Sequence, residues 1–291
     1  MDNCSYVQPQ SLTEVPEILA SLTDRSVILA GGTDLLISIR EKRPDIDICL
    51  SLFTLPELRR VEMEAGWLSI GAMVTHTAAS ENPLIQKYAG ALAMACASVG
   101  SKQVRNKGTV GGSVMNGSVA SDVIPCLCLL RGELEFLTLE GNLRIPVMEY
   151  LEDRRRWQQS RALLTAVRLP VEEGTASCFL KQGSRPQVTI AQISLCASWS
   201  GQGEKKREFR MVMGAVSALP RIYEPDVLDN DGRVSREKVL TLAGQLREEI
   251  AAIRMSRKRP SKLKFTPAEQ LYKERAVKGV LLDLFELIDK R

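Results

Sequence analysis

Hydrophobic and polar positions recur along this 291-residue chain in three successive patterns. Near the N-terminus, Leu12, Val15, Leu19 and Leu22 are spaced as on one helix face, behind Ser11-Leu-Thr-Glu14, a capping-box pattern. The run Ser26 to Ala30 reads as a short buried strand feeding a Gly-Gly turn, and Ile46 to Leu52 as a second strand. Residues 1–56 then form a small αβ lobe. From Trp67 the pattern changes. Leu68 to Ala72 predicts a strand, and Leu84 to Val99 one alanine-rich helix suited to close packing. Asp122 is placed to cap a helix through Pro125 to Leu130, where an early proline costs no hydrogen bond. Glu133 to Leu139 and Leu143 to Val147 flank Glu140-Gly141-Asn142 as a hairpin. Leu163 to Leu169, stopped by Pro170, closes a second lobe over residues 57–170.

The third unit, 171–291, opens near Val171. Ile193, Leu195, Ala197 and Trp199 alternate with Ser194, Cys196 and Ser198, the two-residue period of a half-buried strand. Arg207 to Val216 predicts a second strand, with Gly201-Gln-Gly203 in the turn between them. Two helices follow. The last is announced by Thr266-Pro-Ala-Glu269, which combines an N-cap, a proline at the first helical position and a capping-box glutamate. The expected fold class is α+β.

Composition narrows the function classes. A net charge of +4 is too slight to imply a nucleic-acid partner. The basic clusters Arg154-Arg155-Arg156, Lys205-Lys206-Arg207 and Arg254 to Lys264 read as solvated surface. No apolar run approaches the roughly 20 residues of a membrane span, and the N-terminus lacks the basic-then-apolar order of a secretory signal. Cysteines 4, 49, 96, 126, 128, 178 and 196 are odd in number and scattered, which reads as reduced, mostly buried thiols in a cytoplasmic protein. No metal site is expected, because a histidine-based one would rest wholly on His76.

Two glycine-rich turns carry the chemistry. Gln103 to Pro125 holds four glycines, three serines and two asparagines between apolar segments. Its centre, Thr109-Val110-Gly111-Gly112-Ser113, offers consecutive backbone N–H groups with no bulky side chain, the composition of an anion cradle. Ala30-Gly31-Gly32-Thr33-Asp34 follows the apolar run Val27-Ile28-Leu29 in the same style. Either turn alone is as well explained as an ordinary tight turn. Together they suit a dinucleotide whose pyrophosphate is gripped from two sides.

In this order, AGGTDLL from Ala30, GAMVTHTAAS from Gly71 and QVRNKGTVGGSVMNGSVASDVIP from Gln103 resemble the FAD-binding medium subunits of molybdenum hydroxylases, the xanthine dehydrogenase and carbon monoxide dehydrogenase family. FLKQGSRPQVTIAQIS from Phe179 and RMVMGAVSALPRI from Arg210 are similar to its C-terminal domain, so the resemblance spans essentially the whole chain. It implies a two-lobed FAD-binding domain of the vanillyl-alcohol-oxidase/PCMH type. A smaller α+β domain of antiparallel sheet plus helices would follow. It also implies FAD contacts at Ile28, Leu29, Ala30, Gly31, Gly32, Thr33, Asp34, Leu35, Gly108, Thr109, Val110, Gly111, Gly112, Asn116 and Asp122. Leu163 would add an apolar contact and Lys181 a charged one near the flavin ring. His76 falls in a threonine-rich loop and is expected at a surface or pocket edge, outside catalysis. Ser113 stands where the family commonly has asparagine, and Thr189-Ile190-Ala191 where it has Asp-Ile-Ala.

In chemical terms, the amides of Gly31 to Asp34 and the Thr33 hydroxyl would meet the pyrophosphate, with Thr109 to Ser113 closing from the other lobe. Asn116 would serve phosphate or ribose, and Asp122 the ribose hydroxyls or adenine amine on the adenosine half. No Gly-x-Gly-x-x-Gly, P-loop or iron–sulfur cysteine cluster is present. The resemblance implies that molybdopterin and [2Fe–2S] clusters reside on a large and a small partner subunit, with electrons passing through FAD to NAD or another acceptor. No residue of this chain need act as acid or base. The alternatives are a free-standing FAD-dependent oxidoreductase of the same fold, or a scaffold that has lost FAD.

Overall fold

The computed structural model describes residues 4–185, 188–200, 208–229, 233–255 and 266–289. The first lobe alternates strand and helix, so its three short strands run parallel. They are β1 (Ser5–Val7), β2 (Val27–Leu29) and β3 (Ile48–Ser51), in the order β1-β3-β2, with α1 (Val15–Ser21) and α2 (Leu35–Lys42) as crossovers. Val15, Leu19, Leu50, Leu52 and Leu55 make its core, which also includes Leu58, Met73 and Leu163 from the next lobe. The capping box acts one step late. Glu14 reaches back to the Gln10 N–H (3.0 Å), but the helix starts at Val15 and Ser11 caps no N–H of it.

The second lobe is a five-stranded antiparallel sheet of β4 (Val61–Glu64), β5 (Trp67–Gly71), β6 (Glu133–Thr138), β7 (Gly141–Pro146) and β8 (Leu163–Pro170), ordered β4-β5-β8-β6-β7. The predicted hairpin is β6–β7. Between β5 and β6 the chain inserts α3 (His76–Glu81), α4 (Pro83–Tyr88), α5 (Gly90–Ser98), α6 (Lys102–Arg105), α7 (Val110–Asn116) and α8 (Val123–Leu129). Between β7 and β8 it adds α9 (Val147–Glu152) and α10 (Arg154–Gln159). The single helix expected over 84–99 is two, broken at Ala89. Asn82 caps the first with its side-chain oxygen, and the buried Ser177 hydroxyl accepts the Ala91 N–H (3.0 Å) at the start of the second. That second cap comes from 86 residues further along the chain, so local sequence could not show it.

The third sheet is antiparallel, β9 (Thr175–Gly183), β10 (Ala191–Ser200), β11 (Phe209–Gly214) and β12 (Arg221–Tyr223), ordered β12-β11-β10-β9. Helices α11 (Arg236–Met255) and α12 (Pro267–Asp289) cover one face, packing on Ile193, Leu195, Ala197 and Trp199. β10 is not half-buried as its alternation implied. Ser194 and Cys196 are fully buried on the opposite face, where Cys196, Phe179 and Val212 join the core built around α5 and α8. Small polar side chains at a packed face imitate a solvated one. The capping box of α12 forms as read: Thr266 N–H donates to Glu269 Oε2 (2.6 Å) and Glu269 N–H to Thr266 Oγ1 (3.2 Å). The expected Gly201-Gln-Gly203 turn, Lys205-Lys206-Arg207 and most of the Arg254 to Lys264 cluster lie outside the described residues.

The Ser177 cap joins the third sheet to the second lobe, so it is a stability test of that junction. Ser177→Ala leaves a buried N–H unpaired and is expected to cost about 1–3 kcal/mol, read as a lowered midpoint in urea unfolding.

Candidate cofactor site

Strand β2 ends at Leu29 and delivers Ala30 to Asp34 to the seam between the two lobes, where α2 begins. Gly31 lies so close to the Lys107 carbonyl and the Gly108 Cα that a Cβ there would collide with backbone on the other lobe. Gly32 has φ of 74°, which a side chain disfavours. Among the described residues, no protein acceptor takes the N–H groups of Gly31, Gly32, Thr33 or Asp34. Four donors without a protein acceptor thus immediately precede an eight-residue helix, whose N-terminus is the end that favours an anion. The Thr33 hydroxyl lies 3.2 Å from Asp34 Oδ2, so it is already engaged while its amide is not. Asp34 is exposed, Leu29 is buried, and Ile28, Ala30 and Leu35 are half-buried around the turn.

The second glycine segment is built differently from expectation. Gly108 N–H donates to Val104 O (2.7 Å), Val110 N–H to Val74 O (2.9 Å), Gly111 N–H to Ala72 O (3.0 Å) and Ser113 N–H to Thr109 O (3.0 Å). Gly112 N–H is taken by Thr109 Oγ1 (2.9 Å), the N-cap of α7. Of the amides read as a cradle, those of Val110 to Ser113 are therefore spent on a short ladder against residues 72–76 and on the first helical turn, and the Thr109 N–H alone has no protein acceptor among the described residues. Gly111 is required for a related reason: a Cβ there would strike Ala72, so its bareness serves packing. A Cβ at Gly112 would crowd the capping Thr109 Oγ1 at 2.8 Å and come within ordinary contact of Ala30 across the seam, at 3.9 Å. Asn116 is exposed at the far end of α7, before Gly117, whose carbonyl accepts from Arg154. Arg154, read as solvated surface, thus closes the end of α7.

Asp122 and Lys181 were assigned to separate ends of an extended dinucleotide. The structure brings them into one buried ion pair of 2.5 Å, with side chains 6% and 10% exposed. Lys181 Nζ also donates to the Ser98 carbonyl (2.9 Å) and the Thr189 carbonyl (3.1 Å). Burial pushes the Asp122 carboxyl up, and Lys181 and the Ser98 hydroxyl (3.2 Å) oppose that rise. Asp122 occupies the N-cap position of α8 without capping it; Ser121 Oγ accepts the Ile124 N–H (3.3 Å) instead. Its second oxygen, Oδ1, is buried with no hydrogen-bond partner. Leu163 sits in the core of the first lobe at 2% exposure. Sequence reading missed Ser98 and the 72–76 ladder, although the GAMVTHTAAS motif contains all of residues 72–76.

His76, expected at a surface or pocket edge, is 2% exposed. Its N–H donates to Gly108 O (3.0 Å), and its Nε2 lies 3.1 Å from Ser113 Oγ. Burial, helped by the charge of Arg105, lowers its pKa to about 4. All seven cysteines are free thiols, five of them buried. Among the described residues no cluster is arranged to hold a metal ion, and no helix is long and apolar enough to cross a membrane.

A parallel lobe meeting an antiparallel one over a seam of unspent amides defines an α+β dinucleotide-binding protein, the class expected. The family model described as FAD binding domain in molybdopterin dehydrogenase matches residues 2–172, and the chain belongs to that family. It is 29% identical over 199 residues to the nicotinate dehydrogenase FAD-subunit of Eubacterium barkeri, covering 66% of this chain and 67% of that one. It is 26% identical over 223 residues to the putative xanthine dehydrogenase FAD-binding subunit XdhB of Escherichia coli K12, covering 75% and 76%. A chain of carbon monoxide dehydrogenase from Hydrogenophaga pseudoflava shares the fold at a TM-score of 0.79, with 20% identity over 98% of each chain. The chain is an FAD-binding oxidoreductase subunit.

Two predictions follow from these buried charges. Lys181→Met leaves Asp122 buried without its cation and should cost about 3–5 kcal/mol in urea unfolding; a loss below about 1 kcal/mol would mean a solvated pair. For His76, the folded pKa of about 4 lies below the unfolded value of 6.5. The unfolded chain then binds the extra proton between those values, so this contribution is complete above about pH 6.5 and lost as pH falls to about 4. The difference in unfolding free energy between wild type and His76→Gln should shrink by about 3 kcal/mol across that window.

Proposed function

We propose that this chain is the FAD-binding electron-transfer subunit of a xanthine dehydrogenase-like molybdenum hydroxylase. A molybdopterin-binding large subunit and a [2Fe–2S] small subunit would be its partners, and NAD or another acceptor would take the electrons. The observation that carries the reading is the set of four unspent N–H groups at Gly31 to Asp34, in a turn whose Gly31 packs against the Lys107–Gly108 backbone of the other lobe, in a chain of this family. FAD, when bound, supplies reversible one- and two-electron exchange between those partners. The protein's own contribution is positional. The Gly31 to Asp34 amides and the positive end of α2 meet the pyrophosphate charge. Lys181 holds the Asp122 carboxylate in place. Leu36 and Ile37, both more than half exposed on α2, lie just beyond the amide seat. The division into lobes 1–56 and 57–170 and a C-terminal domain 171–291 gives the two jaws of the seat and a third unit beside them.

Relatives named for nicotinate, xanthine, glyceraldehyde and caffeine dehydrogenation share this chain type. The hydroxylated substrate is therefore set on another polypeptide, consistent with a chain devoted to the flavin. The test is reconstitution. The chain alone should bind FAD yet fail to reduce NAD with xanthine or any purine, and activity should appear on adding molybdenum and iron–sulfur subunits. Substrate oxidation by the chain alone would make it a free-standing oxidoreductase, and lack of affinity for FAD a scaffold. Gly31→Ala should abolish flavin retention, because its Cβ forces the lobes apart.

A further inference from the structure

The His76–Ser113 contact has a proton whose position can be reasoned out. A neutral imidazole carries one N–H and one bare nitrogen. Nε2 faces Ser113 Oγ at 3.1 Å, whereas Nδ1 is buried and touches no hydrogen-bonding group. If Nδ1 held the proton, a buried N–H donor would be orphaned. If Nε2 holds it, only a lone pair is left over. Buried N–H groups are almost never left unpaired, and bare acceptors are tolerated more often. The tautomer with the proton on Nε2 is thus favoured, and Nε2–H donates to Ser113 Oγ.

That assignment decides what Ser113 can do. Its oxygen accepts from His76, so its own O–H proton must go elsewhere. In a helix the usual acceptor is the carbonyl one turn back, but among the described residues Ser113 Oγ makes no bond to Thr109 O. The first turn of α7 carrying Ser113 faces Ala30 through Gly112, beside the unspent amides of Gly31 to Asp34. The donors without a protein acceptor at this point of the seam are those amides, with the exposed Asp34 carboxylate at their outer end.

We propose that His76 is a positioning residue that donates Nε2–H to Ser113 and so turns the Ser113 hydroxyl into a donor to a pyrophosphate oxygen of the bound dinucleotide. The proposal rests on the reading of the seam as the FAD seat. No bond is made or broken; the device is a fixed proton that gives a short serine one polarity.

His76 is the only histidine, so its imidazole can be read without ambiguity. Two-bond proton–nitrogen correlation spectra of the 15N-labelled chain, with and without ADP, should show a neutral ring protonated at Nε2 at about pH 7. A proton on Nδ1 would overturn the proposal whatever the ligand does. Binding isotherms for FAD and for ADP, which carries the pyrophosphate without the flavin, give the second arm. Ser113→Ala should weaken both by about tenfold or more, the loss of a charge-assisted hydrogen bond. His76→Gln, whose amide can still donate to Ser113, should retain most of the affinity, while His76→Phe should lose it as Ser113→Ala does, with circular dichroism confirming that each variant is folded. Unchanged affinity in Ser113→Ala overturns the proposal alone. A wild-type chain that binds neither FAD nor ADP overturns the reading of the seam and the proposal together.

Discussion

The ammonium of Lys181 is the tie on which the arrangement of the molecule depends. It is nearly shut off from water and satisfied by three oxygens from three places, the end of α5, the start of α8 and the segment before β10. An ammonium has three protons to donate, and each is directed to a different element. Its removal would do more than break one bond, because the carboxylate it neutralises cannot return to water while α8 stays packed. The third sheet is thereby registered on the second lobe by charge as well as by the apolar contacts of Phe179, Cys196 and Val212.

Backbone donors are the second constraint, and the two glycine turns resolve it in opposite ways. Every amide must find an acceptor somewhere. In the 108–113 segment all but the Thr109 N–H have protein acceptors, and the reward is a rigid first turn of α7. At Gly31 to Asp34 none is provided, and the turn stays exposed at the mouth of the seam. Similar compositions thus yield a structural brace in one place and a ligand seat in the other. The difference lies in whether a second strand passes within reach.

This distinction explains how far the site could be read from the chain. The Gly-Gly turn after Val27-Ile28-Leu29, the α12 capping box and the strand β10 are local patterns, and each appears where it is read, though β10 is buried on both faces. The ladder between residues 72–76 and 108–111, the Lys181–Asp122 pair and the Ser177 cap on α5 join residues tens of positions apart. No local period encodes them. Burial of His76 was illegible for the same reason: its neighbours Gly108 and Ser113 arrive from another part of the chain. β10 misled because serine and cysteine are small enough to pack tightly yet count as polar in an alternation.

The core of the first lobe is shared with the second. Leu19, Leu50 and Leu55 close on Leu58, Met73 and Leu163, which belong to the second lobe, so the boundary between the jaws runs through a hydrophobic interior. A clamshell motion wide enough to admit a dinucleotide from the side would uncover that interior and meet a steep hydrophobic penalty. Entry of the cofactor is therefore confined to the rim of the seam or to the period before the two halves have consolidated.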